Sequence, residues 1–395
     1  MESKQFFIDH VGQTNEHPFL IEVERAEGIN IIDKKGKVYM DMIAGVAVNN
    51  IGHRHPKVVE AIKNQVDKHL HVMVYGEFVQ DSQNALVKSL LSILPAKLDG
   101  VYVVNSGTEA NEAAIKLAKR VTGRMEMVSF RGSYHGSTLG SLSVSGNEVK
   151  KLPFRPLMPD VRFLMHNDIE GIQQITEKTA GVIIETVQGD AGVRVPHLAF
   201  LHALRKRCDE VGALLIFDEI QCGMGRTGTM FAFEHFGIVP DVLTLGKALG
   251  GGMPIGTLVS SQKNLNEFTY NPMLGHITTF GGHPVICAAA AACVEVLKSE
   301  IDFRKVEKLG ALLEEIIVKH PAIKATRRIG MMFAFDMESS ERVAKVVDKC
   351  LEKGLLTFWF LSHPYSFRLS PPLTISEEEI REAGKRILEA IQETE

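Results

Sequence analysis

Two pairs of polar residues follow two apolar stretches in the middle of the chain. Asp218 and Glu219 follow the run ALLIF, and Gly246 and Lys247 follow the run VLTL. A short apolar run that stops abruptly at polar residues predicts a buried strand. If the two strands are neighbours in a parallel sheet, both pairs lie at its carboxyl edge, where such sheets bind ligands.

A lysine and a carboxylate at one sheet edge are the groups that a pyridoxal phosphate site needs. The amine forms a Schiff base with the cofactor, and the acid binds the pyridinium nitrogen. The neighbours of Lys247 are small or apolar, and desolvation lowers the pKa of an amine and favours its nucleophilic form. The simpler interpretation is a solvated lysine in a glycine-rich loop and an aspartate that caps a helix.

Two other phosphate-binding motifs come close to matching the same stretch. Gly223, Gly225 and Gly228 have the spacing GxGxxG after a predicted strand, but residues 229–236 show no start of the helix that a dinucleotide site requires. The Walker pattern fails because Asp241 stands in place of its first glycine. A nicotinamide-dependent oxidoreductase therefore remains an alternative hypothesis.

Further polar segments follow other predicted strands. Residues 105–108 (NSGT) precede a helical pattern, so their amides form an anion site or a simple helix cap. Tyr134, in the loop FRGSYHGST, is suited to stack on a flat ring or to pack within its own loop. The segment IIETVQGDAG carries Glu185 and Asp190 at another strand end, and TTFGGHP (278–284) offers hydroxyl groups before a helix start or a capped turn.

Composition excludes several classes of protein. The chain has 395 residues, 45% of them apolar, and a formal net charge of −4, which does not favour nucleic-acid binding. The amino-terminal residues do not resemble a signal peptide, and the longest apolar segment is too short to span a bilayer. Five scattered cysteines without a CxxC pair argue against disulfides and zinc, so we expect a cytoplasmic protein without a catalytic metal.

The elements that must position these residues alternate regularly. Strands are predicted at 101–104, 125–130, 161–165, 180–185 and 213–217, and helices at 108–121, 168–178 and 197–211. Such alternation indicates an α/β fold with a mostly parallel sheet. We predict an amino-terminal segment (1–50) that joins a smaller domain, a large cofactor-binding domain (51–284), and a carboxy-terminal α+β domain (285–395) with helices near 303–319, 340–353 and 376–392.

Seven motifs together resemble the class-III (ω-amino acid) aminotransferases of fold-type I, the group of ornithine, acetylornithine and 4-aminobutyrate aminotransferases. They run in the family's order over nearly the whole chain: GVAVNNIGHRHP (45–56), VNSGTEANEAAIKLAKR (104–120), ETVQGDAG (185–192), FDEIQCGMGRTG (217–228), TLGKALGGGMPIG (244–256), TTFGGHP (278–284) and RLSPPL (368–373). The resemblance implies a pyridoxal phosphate-dependent transferase.

The resemblance also implies roles for individual residues. Lys247 would hold the cofactor and move a proton, and Asp218 would keep the pyridine nitrogen protonated. Arg368 would bind the substrate carboxylate, and Thr279 would reach the phosphate of the partner subunit's cofactor, which implies a homodimer. The remaining cofactor-binding residues would be Ser106, Gly107 and Thr108 at the phosphate, Tyr134 on the ring face, Gln221 near the phenolic oxygen, and His135 and Glu185 in the same site.

Three positions depart from the pattern of the family and bear on the substrate. Ser137 stands where many relatives have an arginine that grips a substrate carboxylate. Asp190 replaces a glutamate that in some relatives pairs with the arginine matching Arg368, and the shorter acid would leave Arg368 freer. Glu16 aligns loosely with a substrate-binding tyrosine of ornithine aminotransferases and would favour a cationic donor.

The sequence therefore predicts a homodimeric aminotransferase that moves the terminal amino group of an ω-amino acid to a keto acid. An ornithine-like or acetylornithine-like donor and 2-oxoglutarate as acceptor are expected. The alternatives are an aminomutase of the glutamate-1-semialdehyde type, the oxidoreductase named above, and a non-catalytic binding module with the same fold.

Overall fold

The computed structural model describes residues 3–394. Its strands, in chain order, are β1 (Val23–Glu27), β2 (Asn30–Asp33), β3 (Val38–Asp41), β4 (Gly100–Val104), β5 (Glu126–Phe130), β6 (Val161–Leu164), β7 (Thr179–Glu185), β8 (Leu214–Asp218), β9 (Val242–Gly246), β10 (Gly256–Ser260), β11 (Ala325–Ile329), β12 (Met332–Asp336), β13 (Leu355–Leu356), β14 (Phe358–Trp359) and β15 (Ser366–Leu369).

The α-helices alternate with these strands through the middle of the chain. They are α1 (Ser3–His10), α2 (Ala44–Ala47), α3 (Pro56–Val66), α4 (Asp81–Leu91), α5 (Gly107–Thr122), α6 (Leu139–Val144), α7 (Glu148–Lys151), α8 (Leu198–Val211), α9 (Gln262–Leu265), α10 (Pro284–Glu300), α11 (Phe303–Ile317), α12 (Ser340–Glu352) and α13 (Glu377–Gln392).

The central sheet has the strand order β4-β10-β9-β8-β7-β5-β6. Strands β9, β8, β7, β5 and β6 are parallel, whereas β10 runs antiparallel to both β4 and β9. Every residue of β7 and β9 is buried, as expected for strands covered on both faces. The predicted mostly parallel sheet is confirmed, and β10 is the strand that the sequence analysis did not identify.

Strand register brings the polar strand ends together. Glu185 at the end of β7 is opposite Asp218 at the end of β8, and Asp218 is opposite Thr244 near the end of β9. Helix α5 covers one face of this sheet through buried alanines and Leu117, which pack in a cluster with Ile216 and Leu258. Because α5 begins directly after β4, its amino terminus lies near the same edge.

The two ends of the chain form two smaller sheets. Strands β1, β2 and β3 form an antiparallel ribbon, and β13 extends it by pairing in parallel with β3. A separate antiparallel sheet, in the order β11-β12-β15-β14, carries Arg368 in β15. The smaller α+β part built from both termini agrees with the predicted fold class, while the boundaries at residues 50 and 284 stay predictions.

The helix expected at 168–178 does not form. This segment contains only a 3₁₀ turn, Gly171–Gln174, whose start is fixed by the Gly171 N–H donating to Asp168 Oδ1 at 3.0 Å. Its end bonds back within three residues, because Ile175 N–H donates to the Ile172 carbonyl at 3.0 Å. The Asp168 and Thr179 side chains accept backbone hydrogen bonds that compete with a regular helix here.

Within residues 3–394, no helix is long and apolar enough to cross a membrane. The same part of the chain contains no group of three or more His, Cys, Asp or Glu residues that could hold a metal ion.

Candidate active site

Asp218 is held at the end of β8 by three hydrogen bonds. Its Oδ2 accepts from Asn111 Nδ2 at 2.8 Å and from His135 Nδ1 at 2.7 Å, and its Oδ1 accepts from the Ile220 N–H at 3.0 Å. The Asp218 side chain is 4% exposed, so these bonds satisfy a buried carboxylate. Oδ1 retains an unused lone pair beside the cavity.

Asn111 was not identified from the sequence, although it organises the Asp218 environment. It is fully buried in α5, and its Nδ2 also donates to the His135 carbonyl at 2.7 Å. Its Oδ1 accepts from Thr244 Oγ1 at 2.8 Å. One side chain thus joins a helix and the ends of two strands, and a buried polar residue on the apolar face of a predicted helix was the signal available in the sequence.

Lys247 follows β9 directly and lies in the same cavity as Asp218. Its φ of +43° is one that few non-glycine residues adopt, and such strain is typical of functional sites. Burial lowers the pKa of Lys247, and the nearby carboxylates of Asp218 and Glu185 oppose that change. A lowered pKa increases the fraction of neutral, nucleophilic amine.

The amino terminus of α5 forms one wall of the cavity. Ser106 caps the helix by accepting from the Glu109 N–H at 3.3 Å, and Gly107 begins it. A Cβ at Gly107 would lie 2.8 Å from Ile220, so a larger residue would not fit. Thr108 Oγ1 lies 2.8 Å from Thr138 Oγ1. A capped helix start with a glycine beside it is an anion-binding geometry.

Glu185 fixes the loop that carries Tyr134. Its two carboxylate oxygens accept from the Tyr134 N–H at 2.7 Å and the Gly189 N–H at 2.9 Å. Burial raises the pKa of Glu185 to about 7, against the effect of those two N–H groups. The Tyr134 ring remains 39% exposed, and its hydroxyl lies 3.2 Å from Ser137 Oγ at the cavity mouth.

The structure brings most of the predicted cofactor-binding residues to one cavity of about 320 Å³. Those that line it are Gly107, Thr108, Tyr134, His135, Glu185, Asp218, Gln221 and Lys247. Ser106 is adjacent to this wall, with its hydroxyl turned to the helix start. Thr279 and Glu16 are exposed and do not line the cavity. Their predicted roles, like those of all the site residues, remain predictions.

Arg368 is buried close to this cavity but has no counter-ion bonded to it. In the described part of the chain its guanidinium makes no hydrogen bond or ion pair, and its buried Nε has no partner. The Phe358 and Phe360 rings lie 5.4 Å and 5.5 Å from it. Burial lowers the pKa of Arg368, and the nearby Asp190 carboxylate opposes that change. An unpaired, partly desolvated guanidinium is suited to bind a carboxylate.

The glycine spacing at 223–228 does not form a dinucleotide site. The residues after it form only a 3₁₀ turn, Ala232–Phe236. The first N–H groups of that turn, from Ala232 and Phe233, both donate to the Glu219 carboxylate at 2.7 Å. A buried carboxylate therefore occupies the position where a pyrophosphate would have to bind.

The residues of the cavity fit pyridoxal phosphate. Lys247 offers an amine, Asp218 offers a free carboxylate lone pair for a protonated ring nitrogen, and the start of α5 offers backbone N–H groups to a phosphate. The glycine at position 107 leaves the space that a side chain would fill. Each part of the cofactor thus has a matching group in one cavity.

Comparisons with known proteins show the family of this chain. The family model "Aminotransferase class-III" matches residues 11–391. Acetylornithine aminotransferase of Methanocaldococcus jannaschii is 41% identical over 365 residues, which cover 90% of this chain and 89% of that protein. Putrescine aminotransferase of Pectobacterium atrosepticum is 38% identical over 373 residues, which cover 90% of this chain and 79% of that protein.

A solved structure has the same fold. Ornithine aminotransferase of Toxoplasma gondii superimposes with a TM-score of 0.91 at 28% identity, covering 100% of this chain and 96% of that one. A second structure of that enzyme was described as having pyridoxal phosphate at the active site in partial occupancy. The chain therefore belongs to the class-III aminotransferases, which are pyridoxal phosphate-dependent enzymes.

Proposed function

We propose that this aminotransferase moves the terminal amino group of an ω-amino acid of the ornithine or acetylornithine type to 2-oxoglutarate. The observation that carries the proposal is the unpaired Arg368 guanidinium beside a cavity that contains Lys247 and Asp218. The carboxylate of a keto acid would be the counter-ion that the Arg368 guanidinium lacks within residues 3–394. The printed names of the relatives support a donor with a terminal amine.

Pyridoxal phosphate supplies an electron sink and a carrier for the amino group when it is bound. The residues of the chain bind and orient it. The N–H groups at the start of α5 and the Thr108 hydroxyl would hold the phosphate, and the Tyr134 ring would cover the flat face. Asp218 would keep a proton at the ring nitrogen, because His135 and Asn111 fix its carboxylate in place.

Lys247 would accept and return the proton that moves during amino transfer. Burial lowers its pKa, which increases the fraction of free amine that can act as a base. Asp218 and Glu185 line the same cavity and favour the protonated amine. The lysine is therefore poised to take up a proton and to release it again.

We also propose a cytoplasmic homodimer in which Thr279 reaches the phosphate in the partner subunit's site. In one subunit Thr279 is exposed and lies outside the cavity that holds Lys247. This position supports a role for the hydroxyl in the site of a partner subunit. The proposal therefore predicts that an isolated subunit has an incomplete site.

The decisive experiment is an absorbance titration of the purified, cofactor-loaded protein. Ornithine, acetylornithine, lysine, 4-aminobutyrate and putrescine are added one at a time without a keto acid. We expect an ornithine-type donor to bleach the visible band, and 2-oxoglutarate to restore it with formation of glutamate. An unchanged spectrum with every donor would contradict the proposal.

The same titration separates the aminomutase alternative when glutamate-1-semialdehyde is added to the series. An aminomutase keeps the amino group on its own substrate, so it completes turnover of glutamate-1-semialdehyde without any keto acid. An aminotransferase stops after one equivalent of donor until an acceptor is added. Multiple turnovers without a keto acid would therefore replace the proposed reaction with the intramolecular one.

A further inference from the structure

Asp190 is held by the loop that follows β14. Its Oδ1 accepts from the Leu361 N–H at 3.1 Å, and its Oδ2 accepts from Ser362 Oγ at 2.7 Å. Asp190 is 5% exposed. Both carboxylate oxygens are thus engaged by the carboxy-terminal part of the chain, and neither bonds to Arg368 within residues 3–394.

Ser362 is itself fixed from the other side. Asn147, the residue before α7, donates from Nδ2 to Ser362 Oγ at 2.9 Å. The hydroxyl therefore accepts one hydrogen bond and donates one, which fixes the direction of its proton towards Asp190. We call the chain of Asn147, Ser362 and Asp190 the carboxylate latch.

Arg368 is the nearby cation that Asp190 would neutralise if it were released. The two side chains are close enough for the Asp190 charge to favour the charged form of Arg368, and no direct bond joins them. Lys150, one helical turn after Asn147, also senses both charges. Without the Ser362 hydroxyl, Asp190 would keep only the Leu361 N–H as a donor, and its free oxygen would gain most by turning to the unpaired guanidinium.

We infer that Ser362 is a positioning residue that keeps Asp190 away from Arg368 and so leaves the guanidinium open to a substrate carboxylate. The inference deepens the proposed function and rests on it. Substrate then does not have to displace an internal carboxylate before it binds. The substrate class is one with a carboxylate that can reach Arg368, and the latch sets its affinity.

The test uses glutarate, an unreactive dicarboxylate, titrated calorimetrically into the cofactor-loaded protein. In Ser362→Ala the released Asp190 competes for Arg368, and we expect glutarate affinity to fall roughly tenfold, the size of a lost hydrogen bond to a charged group. The KM for 2-oxoglutarate should rise by a similar factor with kcat little changed. Ser362→Thr retains the hydroxyl and should bind glutarate as the wild type does.

A second substitution separates release of Asp190 from general damage to the loop. In Ser362→Ala combined with Asp190→Asn, the neutral amide cannot pair with Arg368, so glutarate affinity should return to within about twofold of that of Asp190→Asn alone. A Ser362→Ala protein with unchanged glutarate affinity would overturn the inference. A defect that persists with Asp190→Asn would overturn it as well.

The outcome is distinguishable from failure of the proposed function. If none of the donors bleaches the visible band of the wild-type protein, the proposed reaction fails. The glutarate titration still reports on Arg368 in that case. If the wild-type protein transfers amino groups to 2-oxoglutarate and Ser362→Ala binds glutarate as tightly as the wild type, only the latch is refuted.

Discussion

The charged residues around the cavity differ in the hydrogen bonds that their side chains make. Asp218 receives three hydrogen bonds from Asn111, His135 and Ile220. The side chains of Lys247 and Arg368 donate none to the rest of residues 3–394. A fixed acid beside two cations without bonded partners is what a site needs when its ligands carry an aldehyde, a phosphate and a carboxylate.

Lys247→Ala removes the amine that the proposed chemistry requires. We expect loss of the visible absorbance of the bound cofactor and a fall in turnover of roughly a thousandfold or more, since the residue would serve as both attachment point and base. Absorbance spectra and steady-state rates with the preferred donor measure the two effects. Lys263→Ala, on an exposed face of α9, is the matched control; retained turnover in Lys247→Ala would refute the role.

Ser137→Arg tests the residue that departs from many relatives. Ser137 lines the cavity and lies beside the Tyr134 hydroxyl, so an arginine there would place a guanidinium at the mouth. We expect kcat/KM for donors with a distal carboxylate to rise roughly tenfold relative to putrescine, the effect of one charge-assisted hydrogen bond. Ser137→Gln controls for side-chain size. An unchanged ratio would mean that position 137 does not face the donor.

At the scale of elements, the start of α5 depends on the strand beside it. Gly256 opens β10, and a Cβ there would lie 2.0 Å from the Ser106 carbonyl oxygen. Because the obstacle is backbone, Gly256→Ala must displace the 106–107 segment. We expect cofactor affinity of the apoenzyme to fall at least tenfold, with about 2 kcal/mol lost from the free energy of unfolding. Cofactor titration and urea unfolding measure these, with Gly12→Ala, which has open space around it, as control.

Glu219 anchors the loop between β8 and β9 and makes stability depend on pH. Burial raises the pKa of Glu219 to about 8, although the Ala232 and Phe233 N–H groups favour the charged form. The folded state therefore binds the proton more tightly than the unfolded state. Stability from this group is fully present below 4.5, the ordinary pKa of a glutamate, and is lost as the pH rises through about 8.

Glu219→Gln should remove that dependence, because an amide does not titrate. Between pH 4.5 and about 8, the unfolding free energy of the wild type should fall relative to that of the variant by about 1.4 kcal/mol for each pH unit. Urea unfolding at several pH values from about 5 to about 9 measures it. Glu177→Gln, at an exposed position before β7, serves as the comparison. Parallel profiles for wild type and Glu219→Gln would contradict a raised pKa at Glu219.

The sequence predicted the elements whose pattern is local. Abrupt apolar runs located β7, β8 and β9, and the alternation with α5 and α8 predicted the parallel sheet. It did not predict β10, because no local pattern indicates that an antiparallel strand lies between β4 and β9. Asn111 and Ser362 were missed for a similar reason: each acquires its role through carboxylate or amide partners more than a hundred residues away.

The surface around Thr279 carries exposed apolar side chains. Met273, Ile277 and Phe280 are 76%, 45% and 53% exposed. Contiguous exposed apolar side chains are typical of an interface between proteins. They lie in the same segment as the hydroxyl that we assign to the partner's site, which is consistent with the proposed homodimer.

A mixed-dimer experiment tests that assignment. Lys247→Ala removes the lysine of a subunit's own site, whereas Thr279→Ala removes the hydroxyl that we propose it lends to its partner. Each homodimer should have low activity.

After the two are unfolded together and refolded in equal amounts, half of the dimers should be mixed and should contain one intact site, so activity should recover to about a quarter of the wild-type value. The control mixes the double variant with wild type. No mixed dimer then contains an intact site, so only the wild-type homodimers are active and activity should be about a quarter of the wild-type value, whereas a hydroxyl that served its own subunit would raise it to about half. If Thr279 served its own subunit's cofactor, the first mixture would show no recovery, because every site would lack either the lysine or the hydroxyl.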